Sequence, residues 1–305
     1  MNKKISMIIP HYNNPDKLER LLKTIDMNTG DIQVIVVDDR SDAETEKLLQ
    51  LRRKYSALVE FYRNNNGKKS AGTARNIGIK HAKGEWLLFA DSDDFFIENT
   101  WEVVRNICRT SKADIIYFTP TSVIEGTNKE SDRHRHLVNL ILDYEQHKDK
   151  GSELRLRTGF TSPVSKLIKC KLVEENHIRF DETPIANDTM FSVKSGLTAD
   201  SIEVSKEVIY CITKETNSLS FNNSREYVDQ RMSVALRKLK YLRNILGSSD
   251  LKQLNLTGND YFRGAVTKGY HIFDILRWMY IFTLNGFIPF ELKYLPEISA
   301  GIIKR

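Results

Sequence analysis

Residues 4–120 alternate short apolar runs with helix-spaced segments, and this alternation restricts the fold more than any other feature. KISMIIP (4–10) reads as a strand, and KLERLLKTID (17–26) carries apolar residues at 18, 21, 22 and 25, the spacing of one helix face. DIQVIVVDD (31–39) is a β-branched run of the kind buried on both faces of a sheet. A helix (ETEKLLQLRRKY), a short strand (ALVEFYRN), a helix closed by glycine (70–84) and a strand (EWLLFAD) follow. TWEVVRNICRTS then reads as a helix and ADIIYFTP as a strand. The order predicts an α/β fold: a mostly parallel sheet flanked by helices on both faces.

In such sheets ligands bind beyond the carboxyl ends of the strands. Three polar clusters stand at strand ends here: PHYNN, VVDDRSD and FADSDD. They are therefore expected along one edge, as a single site. The last places Asp91, Asp93 and Asp94 within four residues, where like charges repel unless a cation lies between them. Hard divalent ions such as Mg2+ or Mn2+ take one or two protein carboxylates together with phosphate oxygens, so a D-x-D at a strand end suggests a metal bridging protein to a nucleotide diphosphate. Such a motif also arises by chance in loops, and an Asp can cap the helix expected from about Glu98. Asp38 and Asp39 are positioned to accept hydrogen bonds from a base or ribose, and Tyr12 could stack on the base. Arg75 stands near a helix start, where a cation and free N–H groups favour an anion; its plainer reading is a surface salt bridge.

Past residue 120 the alternation loosens. The charged stretch 127–150 holds His134, His136 and His147, but HRH on a polar segment reads as a solvated loop or helix face rather than a metal site. YVDQRMSVALRKLKYLRNIL (227–246) is an amphipathic helix with a basic outer face, a packing helix rather than a nucleic-acid binder. The stretch 270–290 approaches membrane-span length, but Asp274, Arg277 and Asn285 interrupt it, which argues for a buried or interfacial helix. A net charge of +6 without a Lys/Arg run fits a solvated surface or attraction to anionic substrates or headgroups. Three scattered cysteines with no CxxC indicate neither zinc site nor disulfide framework and fit a reducing cytoplasm. The five-residue apolar stretch before Pro10 is too short for a signal peptide core.

IIPHYNN, VIVVDDRSD and NNNGKKSAGTARNIGIKHAKGEWLLFADSDD, in this order, resemble the family 2 glycosyltransferases of the GT-A (Rossmann-like) fold. The resemblance runs through roughly the first 125 residues and implies an inverting transferase using a nucleotide-diphosphate sugar, such as a UDP-sugar, and a divalent metal, Mn2+ or Mg2+. Carried over, Pro10, Tyr12, Asp38 or Asp39, Arg75 and Asp91 line the nucleotide-sugar pocket, Asp91 and Asp93 form the D-x-D, and Asp94 is a further metal ligand. SPVSKLIKCKLVEENHIRFDETPIANDTMF resembles the family's acceptor side, with Asn187-Asp188 where Glu-Asp is common. Asp188 is then the expected catalytic base, and a helix N-cap is its structural alternative. Lys214 stands where an arginine often follows a tyrosine-rich strand, a candidate phosphate contact.

The expected organisation is a transferase domain over residues 1–220, with a nucleotide-sugar half (1–125) and an acceptor half (126–220), and a helical region over 221–305. The expected partners are a nucleotide-sugar donor and a glycan or lipid-linked acceptor, without nucleic acid. A cytoplasmic location, with peripheral membrane contact through the C-terminal region, completes the reading. A catalytically inactive nucleotide-sugar-binding protein is the main alternative. A haloacid-dehalogenase-type phosphatase would carry its D-x-D on the first strand, and a sugar nucleotidyltransferase needs a glycine-rich loop after that strand, which PHYNNPDK lacks.

Overall fold

A computed structural model describes residues 4–65, 67–215 and 222–291. The chain divides into two compact units, residues 1–216 and 217–305. The boundary expected at 220/221 lies outside the described residues.

The first unit begins β1 (Ile5–His11), α1 (Pro15–Lys23), β2 (Ile32–Asp38), α2 (Thr45–Tyr55), β3 (Val59–Arg63), α3 (Ala71–His81) and β4 (Trp86–Phe89). It continues β5 (Phe95–Phe96), α4 (Thr100–Thr110), β6 (Ile115–Ile124), α5 (Arg135–His147), α6 (Lys150–Gly159) and β7 (Lys166–Lys169). It closes with α7 (Cys170–Glu175), α8 (Thr189–Thr198) and β8 (Ile202–Lys214). The strands form one sheet in the order β3-β2-β1-β4-β7-β6-β8-β5.

Alternation along the strands explains why both faces are covered. Ile5, Met7, Ile9, Val34, Val36, Trp86 and Leu88 join a core with Leu18, Leu21 and Leu22 of α1 and Trp101 and Val104 of α4. Their neighbours Ile8, Ile35, Val37, Leu87 and Phe89 join the opposite core with Ala74 of α3, Ile141 of α5 and Phe191 of α8. Helix starts follow local chemistry: Asn14 accepts the Lys17 N–H ahead of Pro15, and Ser70 accepts the Thr73 N–H ahead of α3.

The sheet departs from parallel pairing at two places. β3-β2-β1-β4 pair in parallel, as do β6 and β8. The four-residue β7 inserts between β4 and β6, antiparallel to both, and β5 pairs antiparallel with β8. A strand of residues 126–220 therefore hydrogen-bonds directly to one of residues 1–125. KLIK is too short for its direction to be legible in the apolar pattern. The registers His11↔Asp38 and Ile8↔Phe89 set the carboxyl ends of β1, β2 and β4 along one edge, as the strand-end clusters required.

The second unit contains α9 (Arg225–Ile245), α10 (Ser248–Leu254), α11 (Asn259–Lys268) and α12 (Ile272–Leu284). Met232, Leu236, Phe262, Trp278 and Phe282 lie in its core. Asp229 accepts from Arg277 and from Trp278 Nε1, so a polar interruption of the apolar stretch is paired. Among the described residues, no helix is long and apolar enough to cross a membrane.

Candidate active site

The β1 and β2 ends are tied together by short polar contacts. Asn13 adopts φ 52° and its Oδ1 accepts from the N–H groups of Asp42 and Ala43 at 2.8 and 3.0 Å. The Tyr12 hydroxyl donates to Asp42, and Lys69 Nζ stands 3.9 Å from the Tyr12 ring centroid. Tyr12 is 44% exposed. Asp38 accepts the Ser41 N–H at 3.0 Å, and Arg63 lies 3.5 Å from its other oxygen. Asp39 accepts from Asn64 Nδ2 at 2.7 Å, and burial raises its pKa despite that bond. Pro10 is buried within β1 opposite Val37. His11 beside it is 1% exposed, and neither ring nitrogen has a hydrogen-bond partner among the described residues; burial pushes its pKa down to about 4.

The acidic turn follows β4. The Asp91 N–H donates to Tyr210 Oη at 2.8 Å, and the Asp94 N–H closes onto the Asp91 carbonyl at 3.0 Å. Arg20 on α1 donates to the Asp93 carbonyl and to Glu125. The three carboxylates diverge in role. The Asp91 side chain is 39% exposed and accepts from Arg75 Nη2 at 2.5 Å. Asp93 is partly buried, and desolvation followed by the Asp91 charge pushes its pKa up to about 6. Asp94, the further metal-ligand candidate, is 3% exposed and its Oδ1 accepts the Thr213 N–H at 2.7 Å, which anchors β8. Burial, then Asp93 and Asp91, raise its pKa well above the usual carboxylate range. Nor does an Asp cap the next helix, because α4 starts at Thr100 behind Asn99. Among the described residues, no three His, Cys, Asp or Glu side chains form a group that could hold a metal.

The acceptor-side segment meets this turn through α3. Arg75 is 5% exposed, so the surface salt-bridge reading fails; its second fork nitrogen, Nη1, donates to Asn187 Oδ1 at 2.8 Å. Asp188 occupies the N-cap position of α8, yet its side chain makes no capping hydrogen bond. Burial raises its pKa, Arg75 and Lys166 oppose that shift, and Asp91 adds to it. The base candidate, the arginine and one carboxylate of the D-x-D thus share one electrostatic neighbourhood.

Several contributors were not legible in the sequence. Lys166 on β7 is 2% exposed and donates to the Phe160 carbonyl at 2.5 Å, with the rings of Tyr117 and Phe160 beside its ammonium. Burial lowers its pKa to about 7. Asn187, Arg20 and Tyr210 act through contacts with residues far away in the chain, and no local spacing announces them. Lys214 pairs with Asp132 at 2.6 Å. His134 bonds Ser122 Oγ at 2.7 Å, a structural use of the HRH segment.

The chain is 26% identical over 230 residues to the poly(ribitol-phosphate) beta-N-acetylglucosaminyltransferase TarP of Staphylococcus aureus, covering 73% of this chain and 67% of TarP. It is 30% identical over 221 residues to a poly(ribitol-phosphate) beta-glucosyltransferase of Bacillus spizizenii, covering 68% of this chain and 32% of that protein. This chain thus matches about a third of the second relative's length. In fold it resembles S. aureus TarS 1-349 in complex with UDP-GlcNAc, with TM-score 0.60, 22% identity and coverage of 98% of this chain and 79% of that one. It also resembles the mannosyltransferase PcManGT of Pyrobaculum calidifontis in complex with GDP-Man and Mn2+, with TM-score 0.57, 15% identity and coverage of 99% and 80%. The sequence model of glycosyl transferase family 2 matches residues 6–176, more than half of the chain. With the strand-end carboxylates and this fold, that match means that the chain belongs to glycosyl transferase family 2.

Proposed function

We propose that this protein is an inverting glycosyltransferase that moves a sugar from a UDP-sugar to a hydroxyl of a glycan or lipid-linked acceptor. A polyol-phosphate polymer fits the acceptor class, given what the relatives TarP and the Bacillus enzyme act on. One observation carries the reading: the Asp188 carboxylate makes no capping bond and lies in the field of Arg75 and Asp91, which supports a base close to the acidic turn.

The chemistry follows from the residues. Asp188 takes the proton of the acceptor hydroxyl as its oxygen attacks the anomeric carbon; the bond from that carbon to the diphosphate breaks on the opposite side, inverting the configuration. Tyr12 stacks on the base, Asp38 and Asp39 accept from base or ribose, and Pro10 shapes the pocket floor. Asp91 and Asp93 fit a divalent cation, Mn2+ or Mg2+, because Asp93 is already pushed up to about 6 by burial and a like charge that a cation would relieve. Held by Asp91 and Asp93, such an ion would supply positive charge where the leaving diphosphate departs. Asp94, buried on Thr213, holds the turn instead.

Peripheral membrane contact at the cytoplasmic face belongs to the same proposal. It is supported by the exposed Phe273, Leu276, Tyr280 and Leu284 of α12.

The test combines donor binding by calorimetry with transfer assays. Asp188→Asn is expected to keep donor affinity within about threefold and to lower transfer by at least a hundredfold, on the order of what a general base contributes. Asp93→Ala is expected to abolish metal-dependent donor binding. Transfer retained in Asp188→Asn puts the base elsewhere. Donor binding without turnover in the unaltered protein favours a binding module.

A further inference from the structure

We propose that Asn187 is a positioning residue: through Arg75 it holds the segment ending in Asp188 in register with Asp91. The proposal rests on the transferase reading above and adds to it a device built from this chain's own Asn, at a position where Glu was expected.

The geometry is a three-member relay. Arg75 presents its fork to two sides, Nη2 to Asp91 Oδ1 at 2.5 Å and Nη1 to Asn187 Oδ1 at 2.8 Å. Its guanidinium carbon also lies 5.2 Å from the centroid of the Phe180 ring. The Asn187 amide is fixed at its other end, because Nδ2 donates to the Thr183 carbonyl at 3.1 Å. Its own carbonyl accepts the Asp181 N–H at 3.0 Å, closing the segment into a loop.

α3 holds that loop by two further contacts. Asn76 pairs reciprocally with the Phe180 backbone, donating to its carbonyl at 3.0 Å and accepting its N–H at 2.9 Å. A Cβ on Gly72 would lie 2.0 Å from the Asp181 carbonyl oxygen, so the helix backbone and the loop touch directly. Of these contacts, the Arg75 fork alone reaches on to the D-x-D turn.

The residue type decides how the fork is used. A neutral amide accepts from Arg75 without cancelling its charge, so the guanidinium still faces Asp91 and favours the ionised form of Asp188. A carboxylate at 187 would divide that charge and add a like charge beside the base. The groups facing Asp188 are Arg75 on α3, Asp91 after β4 and Lys166 on β7. Asn187 adjusts the first without adding a fourth charge.

The experiment has two arms. Hydrogen exchange in Asn187→Ala reads the clamp without any activity: amides of residues 180–188 are expected to exchange at least tenfold faster, with β1 and β2 unchanged. The same substitution in an Arg75→Met background is expected to add less than threefold. Steady-state kinetics read its use: kcat for transfer is expected to fall about tenfold to a hundredfold, the scale of a small misplacement of a reacting group, with donor KM within about threefold. Asn187→Ser, too short to reach Arg75, is expected to behave alike if the alanine variant folds poorly. Unchanged exchange over 180–188, or a loss fully additive with Arg75→Met, overturns the proposal. So does a donor affinity that falls as far as kcat. A protein that turns over no nucleotide sugar overturns the transferase reading and the catalytic use of the relay, while the exchange arm still decides whether the clamp exists.

Discussion

Lys166 is where a single side chain most strongly links burial to behaviour. Its ammonium has one carbonyl partner and two aromatic faces, and its pKa falls to about 7 in the folded protein. The unfolded chain holds that proton up to the ordinary lysine value, so between pH 7 and about 10.5 the unfolded state binds more protons. Stability from this group therefore rises with pH across that window, by up to about 1.4 kcal/mol per unit, and is flat below it. Lys166→Met is expected to be more stable than the unaltered protein at pH 7, with the gap closing towards pH 10. Urea denaturation of both proteins at pH 7, 8.5 and 9.5 checks this; a constant gap would contradict it. Nothing in SPVSKLIK announces the burial of this lysine, because β7 acquires its environment from Phe160 and Tyr117 on other elements.

α3 is the element on which the site depends. The helix itself and the glycine after its end were readable in the sequence, and so was the presence of Arg75 near its start. Its packing was not. Gly72 lets the helix backbone touch the 180–188 loop, and Gly78 lets it approach β1, where a Cβ would lie 2.4 Å from Ile8 Cγ2. Gly72→Ala is therefore expected to push the loop away from the helix, at about 1–3 kcal/mol in stability, and to lower transfer more than donor binding. Chemical denaturation paired with donor titration checks it, and wild-type transfer in the alanine variant would show that the loop yields harmlessly. The arginine's place near a helix start was readable; its partner Asn187, 112 positions away, was not.

At the scale of the whole molecule, the two units present different chemistry. The first carries the strand-end carboxylates; the second carries α12, on which Phe273, Leu276, Tyr280 and Leu284 are 52–71% exposed on a chain of net charge +6. Binding to vesicles containing anionic lipid is expected, weakening with salt, and Phe273→Ser with Leu284→Ser is expected to reduce it at least fivefold without altering donor affinity. Co-sedimentation with vesicles decides it; no binding at low salt removes membrane contact from the reading. The sequence by itself determined the α/β alternation, the helical C-terminal region and the edge where β1, β2 and β4 deliver their acidic ends, because strand periodicity and strand-end residues are local properties. Only the tertiary structure decided which acidic side chains face outwards. It buried Asp94 on Thr213, left Asp91 to Arg75 and set Asp188 in the field of Arg75 and Asp91. The physical reason is that burial and charge environment are set by elements distant in the chain, such as β8 behind the acidic turn and α3 beneath the loop, and no local pattern encodes which of them a carboxylate will meet.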